Sequence, residues 1–371
     1  MSLLRLWAVS RKEMLQLRRD ARSLYLAFIL PILLLVVFGY AITFDIRDIP
    51  LGVLDHSASQ SSRELVASFE SSGYFSVVAT LTHERQVARL LGKGTVRLVL
   101  VIPPTFATDL AQRRHATVQA LLDGADANTA TIAQNYAEAI VAGYATDVVL
   151  AGRQLNLPVQ AEARVWFNET LESRNMIVPG LVAVIMSIIA AMLTALTIAR
   201  EWERGTMEQL AATPVHRLEI VLGKLTPYVA IGLFDVALAV TIGVFLFGVP
   251  FRGNPALLAV LTFLFLVGAL GVGVFISAAV KSQVLATQVA MIATFLPALL
   301  LSGFIFSLPS MPVVLRGLSY VVAARYYVSV TKGIFLKGVG ASVLWVDAVA
   351  MVVFAVIGLA LALGVFRKEI A

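Results

Sequence analysis

Cysteine is absent from this 371-residue chain, which removes disulfides, thiolate metal sites and cysteine nucleophiles together. Charge is scarce. Asp, Glu, Lys and Arg make up 14% of the residues, where soluble domains carry about 25%. The four histidines, His56, His83, His115 and His216, are scattered, with no HExxH and no ligand spacing, so no metal site is expected. A phosphate-cradling GxxxxGKS/T loop is missing too: Gly92-Lys93-Gly94 and Gly223-Lys224-Leu225 lack the loop and the hydroxyl. The chain therefore cannot bind ATP by a P-loop. No GxSxG occurs and no nucleophile–base pair can be argued, so neither catalytic nor cofactor-binding residues are expected. Asp109, Asp123 and Asp126 read as helix flanks and turns.

What is present is apolar. Hydrophobic residues make up 59% of the chain, and mean hydropathy is +0.86. Six runs, at 24–44, 176–199, 225–249, 256–280, 284–306 and 343–366, each reach the length of about 20 residues that crosses a bilayer as helix. Backbone in hydrocarbon must satisfy its own hydrogen bonds, so these runs are expected as spanning helices. A soluble enzyme is excluded. The expected fold class is an α-helical polytopic membrane protein with six spanning helices, arranged one plus five, and an inserted extracytoplasmic α/β domain at 45–175. The run at 24–44 reads as a retained anchor, because six basic residues are spread ahead of it and no small-residue cleavage site follows.

Within the insert, short apolar runs alternate with helical stretches: 49–55 then 60–71, 75–81 then 84–92, 96–103 then 106–113, 117–123 then 127–155. This alternation predicts a largely parallel sheet, with 96–103 as its central strand. The stretch 164–174 returns the chain to the membrane.

The net charge of +6 matters through its distribution rather than its sum, and no nucleic-acid partner is expected. Six Lys/Arg lie in 1–23, four in 200–224, then Lys281, Arg367 and Lys368, against five in the opposite short segments. The positive-inside rule puts both termini in the cytoplasm and the insert outside. Residues 1–23 read as an amphipathic helix on the cytoplasmic face, with Leu4, Trp7, Ala8, Leu15 and Leu17 forming an apolar stripe among basic residues. Residues 308–342 carry too many charges to span and read as external re-entrant or surface helices.

Residues 200–214 form the most structured cytoplasmic link. Gly205 can end the preceding helix in the left-handed conformation. Thr206 and Gln209 match a capping box that starts a new helix at Met207, and Pro214 closes the segment. Lys281-Ser282-Gln283 makes a comparable turn in three residues, so a separately capped helix here suits a lever. Thr206 and Gln209 would hold its fold, while Glu201, Glu203, Arg204, Met207, Glu208 and Leu210 would offer contacts to a partner. Inside the membrane Asp235 is nearly alone, and reads either as a cation or proton contact or as a packing hydrogen bond. The glycines of 268–273 permit close helix approach.

One span, an external domain and then five spans resembles the membrane (permease) subunits of type-2 ATP-binding-cassette exporters, the bacterial drug/lipid export permease group. The likeness rests on 199–210 (AREWERGTMEQL), 296–306 (LPALLLSGFIF), Ala324-Arg325-Tyr326-Tyr327 and 332–338 (KGIFLKG). Ala323 and Ala324 stand where that family has a proline. The resemblance implies a coupling helix at Glu201, Trp202, Glu203, Arg204, Gly205, Thr206, Met207, Glu208, Gln209 and Leu210. It also implies a bacterial inner-membrane location, a dimer with a second permease copy or a paralogue, and two P-loop ATPase subunits on separate chains. A periplasmic adaptor often accompanies them. Expected cargo is hydrophobic or amphiphilic: drugs or lipids. A secondary transporter would need inverted repeats and more buried charge, and a sensor or receptor would need a cytoplasmic output domain.

Overall fold

The computed structural model describes residues 2–42, 48–112, 114–150, 166–169, 172–207, 209, 213 and 215–365, with the side chains of Arg22, Ala127, Asn128, Val149 and Leu150 excepted. The chain divides into two compact units, one of 1–43 with 165–371 and one of 44–164. In chain order, α1 (Leu3–Arg19) is followed by α2, which begins at Ala21–Leu24, passes through a π-helical turn at Tyr25–Ile29 and continues as Leu30–Ala41. The smaller unit then runs β1 (Ile49–Asp55), α3 (Gln60–Ser71), β2 (Phe75–Leu81), α4 (Glu84–Gly92), β3 (Leu98–Ile102), α5 (Phe106–Ala111), β4 (Gln119–Leu122) and α6 (Ala127–Leu150). The larger unit resumes with α7 (Ser173–Glu203), α8 (Arg217–Phe245), α9 (Pro255–Val280), α10 (Gln283–Leu301), α11 (Val313–Ser319), α12 (Ala323–Lys332) and α13 (Ala341–Val365).

The smaller unit is a four-stranded sheet in the order β2-β1-β3-β4. β1 pairs in parallel with both β2 and β3, and β4 closes the other edge antiparallel to β3. Two strands are thus interior rather than one. β1 lies between β2 and β3, so 96–103 shares the centre with 49–55. Ile49, Leu51, Val53, Leu98, Leu100 and Ile102 face Leu65, Phe69 and Phe106 on one side, and Leu54 and Val99 meet Leu81, Val87 and Val96 on the other. The carboxylates serve turns. Asp55 accepts from the amides of Ser57 and Ala58 and from the Ser62 hydroxyl. The Ala125 amide, and then the Arg97 guanidinium at 2.6 Å, hold the Asp123 carboxyl below its ordinary range. Among the described residues no three His, Cys, Asp or Glu side chains group to hold a metal.

Among the described residues of the larger unit, five helices are long and apolar enough to cross a membrane: α7, α8, α9, α10 and α13. The sixth expected span is shorter, an apolar helix over Tyr25–Ala41. α7 is the central helix, since 89% of its most apolar window is buried, against 17% for α10 and 22% for α13. Small residues let the others approach. A Cβ added to Gly271 would stand 2.6 Å from the Gly358 carbonyl carbon on α13, and one on Gly273 would stand 2.5 Å from the Ala191 oxygen on α7. Without a hydrophobic driving force between helices in lipid, such close backbone contact is what holds them. Between α10 and α13, the segment expected to lie outside forms a 3-10 turn (Leu308–Ser310), α11, α12 and a π-helical turn (Gly333–Lys337). α12 starts at Ala323 without a proline. It is locked by Tyr327, which is fully buried, stacked on Phe265 at 4.2 Å and hydrogen-bonded to Thr262 at 2.8 Å.

This packing predicts an asymmetry between glycines. Gly271→Ala and Gly273→Ala should each destabilise the detergent-solubilised body by about 1–3 kcal/mol through overpacking. Gly364→Ala, with nothing within 4 Å of its Cβ position, should be neutral or slightly stabilising. Thermal unfolding of the three variants decides it, and equal melting would contradict the packing described.

Candidate coupling site

Helix α7 is closed by a glycine cap. Gly205 has φ +65°, its amide donates to the Trp202 carbonyl at 3.2 Å, and the Thr206 amide donates to the Glu201 carbonyl at 3.0 Å. These are the two bonds that satisfy the last carbonyls of a helix ending in a left-handed residue. The chain turns sharply, and Met207 and Gln209 are helical again. The Thr206 hydroxyl donates back to the Glu201 carboxylate, so it ties the new segment to the helix just ended.

Each residue of the last turn of α7 grips a different neighbour. Arg200 donates to Asp20 at 2.6 Å and to Ser23 at 3.1 Å, where α1 meets α2. Glu201 accepts from Lys12 of α1 at 2.6 Å and lies 3.6 Å from Lys224 of α8. The Lys281 ammonium stands 4.2 Å above the Trp202 ring, within cation–π range. Glu203 accepts the backbone amide of Gln283 at 2.7 Å and also its side-chain amide, at the start of α10. One turn earlier, the Ser277 hydroxyl of α9 accepts from the Ile198 and Ala199 amides at 3.0 and 2.9 Å. The end of α7 is therefore joined to α1, α8, α9 and α10 within six residues.

The centre of this joint is Lys224, whose side chain is 1% exposed and pairs with Glu13, itself 3% exposed. Close approach makes the pairing reachable: a Cβ on Gly223 would stand 2.8 Å from Val9 of α1. Lys12 and Lys224 balance Glu13 and Glu201. The same crossing is fastened farther along by Glu219, which accepts from the Ser2 amide at 2.6 Å and the His216 amide at 3.0 Å.

The residues expected to meet a partner divide into two sets. Glu203, Arg204, Gly205 and Gln209 are exposed, and Trp202 and Thr206 are half-buried. Glu201 and Met207 are buried and face the body instead. The reason is physical: Glu201 is needed as counter-ion to Lys224, and Met207 joins the apolar core. Glu208 and Leu210 lie outside the described residues. Asp235, on α8, is away from this joint and is taken up below.

A family profile described as ABC-2 family transporter protein matches residues 22–363. The chain belongs to that family. Among curated relatives it is 38% identical over 357 residues to "Probable multidrug ABC transporter permease YbhS" of Escherichia coli (strain K12), covering 95% of this chain and 94% of the relative. It is 29% identical over 370 residues to "Probable multidrug ABC transporter permease YbhR" of the same strain, covering 99% of each. "Inner membrane transport permease YhhJ" is 26% identical over 325 residues, with 86% of each chain covered.

For this ABC-2 protein the sequence pointed to 200–214 but not to the residues that hold it. Lys12 is one of the basic residues around the apolar stripe of 1–23, Lys224 and Gln283 figured only in a missing P-loop and a short turn, and Glu13 and Ser277 carried no motif. A usable signal was there: Lys224 abuts an apolar run and Glu13 stands alone among the basic residues of α1, a spacing that asks for long-range partners. Removing one partner of a buried pair costs about 3–5 kcal/mol because it strands the other charge. Lys224→Met should therefore destabilise the protein by that order. Lys12→Ala, whose side chain is 42% exposed, should cost no more than about 1 kcal/mol. Unfolding measurements on both variants test the ranking, and equal losses would show that Lys224 is not the keystone.

Proposed function

We propose that this chain is the membrane subunit of an ATP-driven exporter, working as a dimer with a second copy or a paralogue and with a separate ATPase chain. The exposed strip Glu203, Arg204, Gly205 and Gln209 is the docking surface for that ATPase. The observation that carries the reading is the joint at the end of α7: a push on this strip reaches four other helices through bonds made by 198–203. A polar loop that merely connected two spans would need none of them. The absence of a phosphate-cradling loop from the sequence assigns ATP hydrolysis to another polypeptide. The printed names of the YbhS and YbhR relatives support multidrug cargo. The many outward apolar residues of α10 and α13 suit a body bathed in lipid and a hydrophobic or amphiphilic substrate.

The orientation follows the basic asymmetry, with the joint and both termini in the cytoplasm and the α/β unit outside. Because the chain lacks cysteine, single cysteines report cleanly. An impermeant maleimide should label Ser71→Cys in intact cells and leave Arg204→Cys unlabelled until the membrane is permeabilised. The reverse pattern would invert the topology.

Docking is tested on residues that support no internal bond described above. Arg204→Glu combined with Gln209→Lys should weaken ATPase association and reduce coupled ATP hydrolysis, since misplaced charge at an interface costs several kcal/mol. Melting of the isolated permease should stay unchanged. Full export and full ATPase association in that variant would remove the strip from the coupling role.

A further inference from the structure

We propose that Asp235 is a proton-binding site inside the membrane body. Asp235 is 3% exposed, and among the described residues neither carboxylate oxygen has a hydrogen-bond partner. Among the described residues no donor makes the helix-interface hydrogen bond that a packing role for this residue would need. Its direction on α8 is clear. Phe234 is 56% exposed and meets Phe28 edge-on, whereas Gly232, on the same face as Asp235, lies against Leu266 of α9, 2.8 Å from its Cβ position. Asp235 thus points into the bundle one turn beyond that contact.

The helices packed against α8 bring no counter-ion. α9 has no ionisable side chain along its whole length. On α7 none occurs between Arg174, which pairs with Glu172, and Arg200, Glu201 and Glu203, all committed in the joint. The span Tyr25–Ala41 contributes only Tyr25 and Tyr40, both exposed. α13 contributes Asp347, which accepts from Ser329 at 3.0 Å. The charges of α1 (Arg5, Arg11, Lys12, Glu13, Arg18 and Arg19) belong to the end of α8 where Lys224 stands, about 16 Å along the helix from Asp235.

The size of the ligand follows from burial. A metal ion would need several more oxygen ligands, and an organic cation would need open surface. A proton needs neither. It converts an uncompensated carboxylate in hydrocarbon into a neutral acid, and the reverse step releases that proton to water.

This inference concerns the permease alone, so its failure and that of the exporter assignment are distinguishable. The test compares purified full-length wild type with Asp235→Asn, an isostere of the protonated acid, and with Asp235→Leu should the first not fold. The folded form holds one proton that the unfolded chain gives up at ordinary carboxylate pH. Stability should therefore fall as pH rises, and the wild-type folding equilibrium should lose up to about tenfold per pH unit relative to the variant. The wild-type-minus-variant infrared difference spectrum at neutral pH should contain the carbonyl stretch of an un-ionised carboxylic acid. A pH-independent stability difference, a wild type that gains on the variant as pH rises, or a difference spectrum showing a carboxylate instead would each overturn the proposal.

Discussion

A lysine shut away from water cannot keep its charge without a counter-ion, and the end of the helical unit where α1, α7 and α8 meet is organised around that requirement. Lys224 draws Glu13 from α1 and Glu201 from α7. Glu201 in turn accepts from Lys12 and from the Thr206 hydroxyl just beyond the glycine cap. Ion pairs of this kind are weak evidence for stability, because desolvation offsets much of the attraction. Their value is geometric. They are satisfied in one arrangement of three chain segments far apart in sequence, and that arrangement makes the end of α7 a fixed joint. The short segment after Gly205 inherits its position from this cluster.

The membrane part of the same unit obeys a different rule. Among its long helices, charge is nearly absent and the contacts are made by small residues, with Gly271 against Gly358 and Gly273 against Ala191. Backbone-to-backbone approach makes α7, α9 and α13 a closely packed set, and the Ser277 hydroxyl, accepting from the Ile198 and Ala199 amides, adds a polar bond between α9 and α7. The charged joint and the close-packed body therefore share α7. Under the proposed coupling, a displacement at one end of that helix would be passed on because neither end yields cheaply.

Much of this could be read from the residues. The apolar runs foretold the long helices, and Gly205 foretold the end of α7 because only a residue without Cβ takes a positive φ there without strain. In the smaller unit, β1, α3, β2 and α4 fell where alternating short patterns had placed them. What could not be read was long-range. Glu201 looks like any charged residue beside a turn until Lys12 and Lys224 are brought to it. β1 could not be recognised as an inner strand, because strand order is decided by crossovers rather than by local composition. For the first span, 24–44 is an uninterrupted apolar stretch; its helix includes a π-helical turn at Tyr25–Ile29 and runs to Ala41, and 43–44 lie outside the described residues. Met207, expected to meet a partner, is buried in the protein's own core, and an apolar residue beside a cap reads the same way in sequence for either role.

The central claim is that the end of α7 moves as one rigid piece with its neighbours. Glu203 and Gln283, bonded in this structure at 2.7 Å, offer the most direct test. Both are replaced by cysteine in the otherwise cysteine-free chain, joined with a short bis-maleimide, and export is measured in the presence of the partner ATPase. A rigid joint predicts that the cross-linked and uncross-linked forms of the same variant export at matching rates. Loss of export on cross-linking, with ATPase association preserved, would show that the lever swings against α10 and would contradict the account.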